Sequence, residues 1–178
     1  PHDFLVDGMG EVVKYGMIKS DELFGILMNH DINTVHEVMD DIIARCVAIK
    51  RDVVEADEFD KGERMLLNFG HTLGHSIEQY YHYTGISHGR AVAKGMEIIT
   101  DLAEKRGMCR KGLTADLCGC LKKYELTRDI EPTPAQLGSA CMNDKKRDGS
   151  SIHVIICSDI GKSSAVKMSV ADFNDFLA

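Results

Sequence analysis

Apolar residues along most of this chain recur every three or four positions, the spacing that places them on one face of an α-helix. Between residues 10 and 30 the pattern is interrupted only near Ser20, a residue type that caps helix N-termini, so we expect two helices separated by a short break. The same spacing predicts helices over residues 34–55, about 64–81, about 89–106, 114–124 and 133–142. Gly107 would then follow the helix predicted over about 89–106, at the position where helix ends favour glycine.

The pattern changes to strand-like alternation near the C-terminus. Residues 152–157 are rich in β-branched side chains, residues 159–162 contain a turn glycine, and residues 164–170 alternate in polarity. These features are typical of a β-hairpin, after which Ser169 is a suitable cap for a last helical turn. We therefore predict a mainly α fold, a multi-helix domain with a small C-terminal β-hairpin, spanning residues 1–178 as one unit.

Composition narrows the range of functions. The chain has 178 residues, 44% of them apolar, and a net charge of −7, which gives no electrostatic basis for binding nucleic acid. We find no apolar run long enough for a membrane span and no signal peptide, and the six cysteines lack the C-x-x-C spacing of structural zinc sites. We expect a cytoplasmic protein with reduced thiols that acts on a small molecule. Because the chain begins with proline in mid-pattern, we also expect it to be a piece of a longer polypeptide.

A stripe of polar side chains is the strongest chemical signal in the sequence. On the helix predicted over residues 64–81, His71, His75 and Glu78 project from one face, and Arg64 and Asn68 extend the same stripe backwards. Burying such a stripe without a ligand costs free energy. The spacing therefore indicates a metal-dependent active site, although two histidines four residues apart also occur by chance on polar helix faces.

Other candidates are weaker when each is considered alone. His88 follows a loop and could complete a zinc site, which accepts imidazole and carboxylate ligands, yet a surface loop histidine is the simpler interpretation. Glu11 and Lys14 fit a solvated ion pair at the start of a helix, and Lys50 fits a lysine that extends to the surface. The charged segment 144–149 either faces water or reaches over a phosphate.

Taken together, several blocks resemble the C-terminal domain of the 3-dehydroquinate synthase family. The blocks are GMGEVVKYGMI, IKRDVVEADEFDKGERMLLNFGHTLGHSIE, HGRAVAKGM, and NDKKRDG followed by IHVIICSDIG. They agree with the family in order and spacing nearly from end to end. In that family a glutamate of an E-x-x-K block and two histidines hold a divalent metal, normally zinc and alternatively an ion such as Co²⁺. The resemblance implies Glu11, His71 and His88 as metal ligands.

The resemblance also implies which residues meet the substrate. The catalytic residues would be His75, Lys14 and Asp60, and the substrate-binding residues would be Lys50, Arg64, Asn68, Lys145 and Lys146. Lys50 and Arg64 would bind a carboxylate, because arginine matches carboxylate geometry. Asn68 and one of the two lysines, at 145 or 146, would bind a phosphate.

The implied reaction converts 3-deoxy-D-arabino-heptulosonate 7-phosphate to 3-dehydroquinate and phosphate, in the shikimate pathway of aromatic amino acid biosynthesis. NAD would be used and regenerated in each turnover. Family members are longer, and their N-terminal α/β domain, which binds most of the NAD, is absent from this chain. We therefore expect the chain alone to be inactive, to pack against its own N-terminal domain, and to form a homodimer when intact.

The sequence departs from the family at two positions and leaves three alternatives open. Arg90 stands where the family usually has glutamate in H-G-E, and Asp60 stands where glutamate is commoner. Arg90 reverses a charge beside a proposed metal ligand, so it either weakens metal affinity or points to solvent. The alternatives are another sugar-phosphate cyclase, an NAD- and metal-dependent polyol dehydrogenase of the same architecture, and a non-catalytic helical metal-binding or assembly module.

Overall fold

A computed structural model of the chain describes residues 1–57, 62–145 and 151–178, with only the backbone of residues 142–145. Within these residues the α-helices are α1 (His2–Lys19), α2 (Asp21–Asn29), α3 (Met39–Ala56), α4 (His71–Tyr80), α5 (His88–Lys105), α6 (Leu113–Lys123), α7 (Pro134–Lys145) and α8 (Val170–Leu177). Two 3₁₀-helices, η1 (Val35–Val38) and η2 (Glu63–Asn68), lie before α3 and α4, and the strands are β1 (Ile152–Asp159) and β2 (Lys162–Met168). The predicted mainly α fold with a C-terminal hairpin is confirmed. No helix in the described part combines the length and apolarity needed to cross a bilayer.

The core forms around α5, which packs against α1, α4 and α6. These helices bury the apolar faces that their periodicity predicts, with Val13, Leu73, Met96 and Leu117 fully inaccessible. α1 is buried around much of its circumference because α2, α3 and the hairpin also contact it. The three helices α1, α4 and α5 therefore hold fixed positions relative to one another, and each contributes to the site described below.

The predicted helix caps are present. Ser20 separates α1 from α2, and its hydroxyl accepts a hydrogen bond from the amide of Leu23 at 3.1 Å. Ser169 and Asp172 form a capping box at the start of α8, with each side chain paired to the backbone of the other. Gly107 follows α5 with φ +68°, which is the left-handed conformation expected just beyond a helix end.

The single helix predicted over residues 64–81 is wrong, because the chain breaks at Gly70. This residue has φ +77°, and a Cβ atom there would lie 2.5 Å from Met96 Cγ and 2.6 Å from the carbonyl oxygen of Val92. Only glycine fits this combination of backbone angle and close contact. The break leaves Arg64 and Asn68 in η2 and makes His71 the first residue of α4.

The hairpin packs on the C-terminal end of α1. Its strands are antiparallel, with Ile152 opposite Met168. Ser163 Oγ donates a hydrogen bond to the carbonyl oxygen of Ile18 at 2.9 Å, and the amide of Gly161 donates one to the carbonyl oxygen of Met17 at 3.0 Å. These bonds fix β1 beside the region where α4 begins.

Candidate metal centre and adjoining cleft

Three helices bring together one carboxylate and two imidazoles. Glu11 lies in α1, while His71 and His88 are the first residues of α4 and α5. Glu11 Oε1 lies 3.3 Å from His71 Nε2 and 3.7 Å from His88 Nε2. One ligand atom from each residue falls within 4.8 Å of the others, a spacing that could surround a single metal ion.

Each imidazole is oriented by a contact at its other nitrogen. His71 Nδ1 lies 3.2 Å from the carbonyl oxygen of Phe69, and His88 Nδ1 lies 3.2 Å from Glu78 Oε1. Both partners are acceptors, so we assign the ring proton to Nδ1 in each neutral histidine. The lone pair of each Nε2 then faces Glu11 Oε1. Carboxylate and carbonyl partners of this kind orient histidines in metal sites.

The remaining contacts of Glu11 test whether a cation fits between these groups. Glu11 Oε2 accepts a hydrogen bond from Lys14 Nζ at 2.6 Å, whereas the buried Oε1 has no hydrogen-bond partner of acceptable geometry among the described residues. A buried acceptor that faces two further lone pairs is unfavourable unless a cation lies between them. Two imidazole nitrogens and one carboxylate oxygen also match the ligands of catalytic zinc sites, which leave a position open. The residues therefore fit a divalent metal.

The ion pair between Glu11 and Lys14 gives the site its charge balance. Burial raises the pKa of Glu11, but in the metal-free protein a proton carried by His71 Nε2, which a metal ion would replace, and the charge of Lys14 outweigh burial and lower that pKa to about 2. Burial lowers the pKa of Lys14, whose side chain is only 3% exposed, and the charge of Lys50 lowers it further, whereas Glu11 acts in the opposite direction. The carboxylate is thus ionised at neutral pH, as a metal ligand must be.

A second group of possible ligands shares His88. One ligand atom each from His75, Glu78 and His88 also lies within 4.8 Å of the others. Although His75 is exposed, its surroundings remove part of its hydration and lower its pKa, and the charges of His71 and His88 also lower it whereas that of Glu78 raises it. Because Glu78 pairs with His88 Nδ1, we assign Glu78 to orienting the imidazole rather than to binding the ion.

A cleft of about 600 Å³ opens beside the candidate metal centre, between α4, α7 and β1. Its lining comprises Met65, Asn68, His71, Thr72, His75, Ser76, Gln79, Tyr83, Ala140, Cys141, Ser151, His153 and Ile155. His71 belongs both to this lining and to the group of three possible ligands. An ion held by that group would therefore lie at the edge of a space large enough for a small-molecule substrate.

The other predicted site residues fall into three groups. Asn68 lines the cleft, while Lys50 lies exposed on α3 and near enough to Lys14 to shift its pKa. Arg64 is partly buried in η2, where its amide donates a hydrogen bond to Asp57 Oδ2 at 3.1 Å. Asp60, Lys146 and the side chain of Lys145 lie outside the described residues.

Arg90 is engaged at a distance from the candidate metal centre. Its Nε donates a hydrogen bond to the carbonyl oxygen of Glu125 at 3.4 Å, and its Nη2 lies 3.9 Å from Asp3 Oδ1. Asp3 is about two turns of α1 before Glu11, which corresponds to about 12 Å along the helix axis. The reversed charge at this position is therefore directed toward Asp3 and the end of α6 rather than toward Glu11.

Sequence reasoning missed His153 as a lining residue of the cleft. Strand alternation indicates only that His153 points to the opposite side from the buried Ile152. Which helix lies opposite that side depends on how the hairpin packs, and this packing has no local signature. Gln79 and Tyr83 were missed for a similar reason, since nothing in their spacing distinguishes them from ordinary surface residues.

Comparisons with known protein sequences give matches over most of the chain. The family model described as 3-dehydroquinate synthase C-terminal matches residues 8–147. The 3-dehydroquinate synthase of Clostridium perfringens (strain 13 / Type A) is 44% identical over 175 residues, which is 97% of this chain and 50% of the relative. That of Streptococcus thermophilus (strain ATCC BAA-491 / LMD-9) is 41% identical over 177 residues, again 97% of this chain and 50% of the relative. The chain spans about half the length of these curated relatives.

Solved structures share the fold. A 2-epi-5-epi-valiolone synthase from Streptomyces hygroscopicus subsp. jinggangensis 5008, with NAD⁺ and Zn²⁺ bound, superposes with a TM-score of 0.83 at 23% identity, covering 99% of this chain and 51% of that one. A 2-deoxy-scyllo-inosose synthase complexed with carbaglucose-6-phosphate, NAD⁺ and Co²⁺ gives a TM-score of 0.78 at 21% identity, covering 97% and 50%. At these identities the likeness establishes the architecture alone.

Proposed function

The chain belongs to the 3-dehydroquinate synthase family, and from this premise we propose that it is the metal- and substrate-binding half of an enzyme that makes 3-dehydroquinate. The substrate would be 3-deoxy-D-arabino-heptulosonate 7-phosphate, and the second product would be phosphate. One observation carries the proposal: the buried Glu11 Oε1, which has no acceptable hydrogen-bond partner among the described residues, faces two imidazole nitrogens at the edge of the cleft.

Glu11, His71 and His88 would hold one divalent ion, either Zn²⁺ or Co²⁺. When bound, the ion would act as a Lewis acid that polarises a substrate hydroxyl and lowers its pKa. The protein prepares for this charge in two ways. Glu11 remains ionised because of its low pKa, and Lys14 balances its second carboxylate oxygen.

His75 is suited to handling a proton beside the ion. It lines the cleft, and its ring centroid lies 5.6 Å from that of His71. Because its pKa is lowered, mainly by loss of hydration, the neutral imidazole that can accept a proton predominates at neutral pH. Lys14 would stabilise negative charge that develops near Glu11. Asp60 keeps the catalytic role that the family resemblance implies.

The anionic ends of the substrate would be bound by cations and an amide around the cleft. Lys50 and Arg64 would bind the carboxylate, and Asn68 with Lys145 or Lys146 would bind the phosphate. Two observations support this arrangement: Asn68 lines the cleft, and Lys50 lies close enough to Lys14 to influence its pKa. Lysine serves here as a mobile point charge, whereas arginine adds a planar pair of donors.

NAD would carry the hydride chemistry, and the intact enzyme would bind it mainly through an N-terminal domain. This part of the proposal is supported by the relatives, of which the chain covers about half, and by the two solved cyclases that hold NAD⁺. We further propose that the intact enzyme is a cytoplasmic homodimer of the shikimate pathway, and that the 178-residue chain alone is inactive.

A second candidate is a cyclase that acts on another sugar phosphate. The observation that favours it is the fold shared with 2-deoxy-scyllo-inosose synthase and 2-epi-5-epi-valiolone synthase. The two candidates differ in whether the substrate carries a carboxylate. Lys50 and Arg64 favour the carboxylate-bearing heptulosonate, because a lysine and an arginine are suited to bind a carboxylate.

The test is release of phosphate by the intact protein. We expect the intact protein to release phosphate from the heptulosonate 7-phosphate and to form 3-dehydroquinate at the same time. Chelation should abolish this activity, and Zn²⁺ or Co²⁺ should restore it. Glucose 6-phosphate and sedoheptulose 7-phosphate, which lack the carboxylate, serve as competing substrates. The 178-residue chain alone should release no phosphate. Metal-dependent turnover of a competing substrate with none of the heptulosonate would overturn the assignment in favour of the second candidate.

A further inference from the structure

We propose that Asp7 is a positioning residue for the metal ligand His88. The inference rests on the proposed function, because it takes Glu11, His71 and His88 as the metal ligands. Asp7 lies in α1, and its Oδ1 accepts a hydrogen bond of 2.6 Å from the backbone amide of Gly89. This bond joins residues 82 positions apart and meets α5 at the residue directly after His88.

The N-terminus of α5 receives this bond in place of a cap from its own chain segment. Ser87 occupies the N-cap position, yet its side chain makes no capping hydrogen bond. Its buried Oγ has no hydrogen-bond partner among the described residues. The amides of a helical first turn need acceptors, and a carboxylate also interacts favourably with the helix dipole. Asp7 thus supplies from α1 what Ser87 does not supply.

Asp7 and Glu11 lie one turn apart on the same face of α1. Asp7 binds the backbone of the first turn of α5, and Glu11 faces the imidazole that the same turn carries. The two carboxylates therefore fix one turn of α5 at two points. The hydrogen bond from Gly89 to Asp7 positions the backbone next to His88. The contact between Glu11 and the His88 imidazole is the one that an ion would bridge.

The two helices also touch backbone to backbone at this level. A Cβ atom on Gly89 would lie 2.0 Å from the carbonyl oxygen of Asp7, and one on Gly10 would lie 2.6 Å from the carbonyl oxygen of Gly89. The glycines let α1 and α5 approach, but close approach alone leaves rotation and fraying of the first turn of α5 possible. The hydrogen bond from Asp7 restrains those movements, and His88 is the residue that they would displace.

Removing the Asp7 carboxylate should therefore weaken metal binding without removing any ligand. Partners that orient metal ligands typically change affinity by about ten- to a hundredfold when they are mutated. We expect a loss in that range for Asp7→Ala. Asp7→Asn keeps an acceptor oxygen but loses the charge, so we expect it to lower affinity by only a few-fold, which is less than the loss for Asp7→Ala.

The test uses the intact protein with Co²⁺ as the probe, and it measures affinity by competition with a chelator together with the visible absorption of bound Co²⁺. Ser169→Ala is the matched control, because it removes a side-chain cap from α8, which does not contribute a ligand. We expect Asp7→Ala to change both affinity and spectrum, and Ser169→Ala to change neither.

The outcomes separate this inference from the proposed function. If the unmodified protein binds no Co²⁺, the proposed metal site fails. If it binds Co²⁺ and Asp7→Ala binds equally well with the same spectrum, only the role of Asp7 is overturned. Should Asp7→Ala fail to fold, Asp7→Asn decides the question, since an affinity and a spectrum indistinguishable from those of the unmodified protein would contradict the positioning role of Asp7.

Discussion

The buried ion pair of Glu11 and Lys14 should contribute more to the unfolding free energy of the metal-free protein than a surface ion pair would. Glu11→Gln removes the charge that lies 2.6 Å from Lys14 Nζ, and the lysine side chain is only 3% exposed. An amide oxygen can still accept one hydrogen bond, but the ammonium loses its counter-charge. Breaking a buried pair in this way costs about 3–5 kcal/mol of unfolding free energy.

Solvent reduces that figure here. The Glu11 side chain is 35% exposed, so part of its field is screened, and we expect a loss of roughly 2–3 kcal/mol. For a chain of this size, that loss lowers the melting temperature by roughly 4–12 °C. The double variant Glu11→Gln with Lys14→Met removes the unpaired charge as well. It should recover more than about half of the loss, because a buried methionine needs no partner.

The assay is urea unfolding of the metal-free chain at neutral pH, repeated in acid. Because the pKa of Glu11 is lowered from 4.5 to about 2, its contribution to stability is fully present above pH 4.5 and is lost as the pH falls through about 2. The difference between the unmodified chain and Glu11→Gln should shrink over the same interval. A Glu11→Gln variant as stable as the unmodified chain, or a double variant no more stable than Glu11→Gln, would refute the reasoning.

Two further predictions concern the frame around the site. Gly70→Ala should destabilise the chain by more than about 2 kcal/mol, because it combines a positive φ with a clash against Met96. Gly107→Ala is the control: Gly107 has φ +68° and open space around it, so this variant should lose only about 1 kcal/mol. Equal melting temperatures for the two variants would contradict the prediction. Glu104 accepts hydrogen bonds from the amides of Gly112 and Thr114. The Thr114 hydroxyl lowers the pKa of Glu104 most, and the two amides lower it further, to about 2. Glu104→Gln should therefore be less stable than the unmodified chain at neutral pH, and the difference in unfolding free energy should disappear as the pH falls from 4.5 through about 2. A difference that does not change with pH would contradict the lowered pKa of Glu104.

Much of the fold could be predicted because its signals are local. Apolar spacing located α2, α5, α6 and α7 to within a few residues, whereas α1 begins eight residues before the predicted start. Ser20 and Ser169 identified two helix starts by capping chemistry alone. The break at Gly70 was not predicted, because a glycine within a helical pattern is usually tolerated. What requires the break is the approach of α5, and that contact lies more than twenty residues away along the chain.

The site was predictable in part for the same reason. His71, His75 and Glu78 are a local pattern on one helix, so their common face followed from spacing. Glu11 and His88 come from other helices. The residues alone offered His88 only as a possible ligand, and the family resemblance was needed to place both with His71. Neither route indicated Asp7 or His153, because their roles depend on how α1 meets α5 and how the hairpin meets α4.

The central claim, that Glu11, His71 and His88 hold one divalent ion, is tested most directly by Zn²⁺ titration of the intact protein. His71→Asn and His75→Asn are a matched pair, since they remove equivalent side chains one turn apart on α4. We predict one bound ion, a loss of affinity greater than about a hundredfold for His71→Asn, and a change of less than about tenfold for His75→Asn. Loss of binding in His75→Asn with affinity retained in His71→Asn would contradict the account and assign the ion to His75, Glu78 and His88.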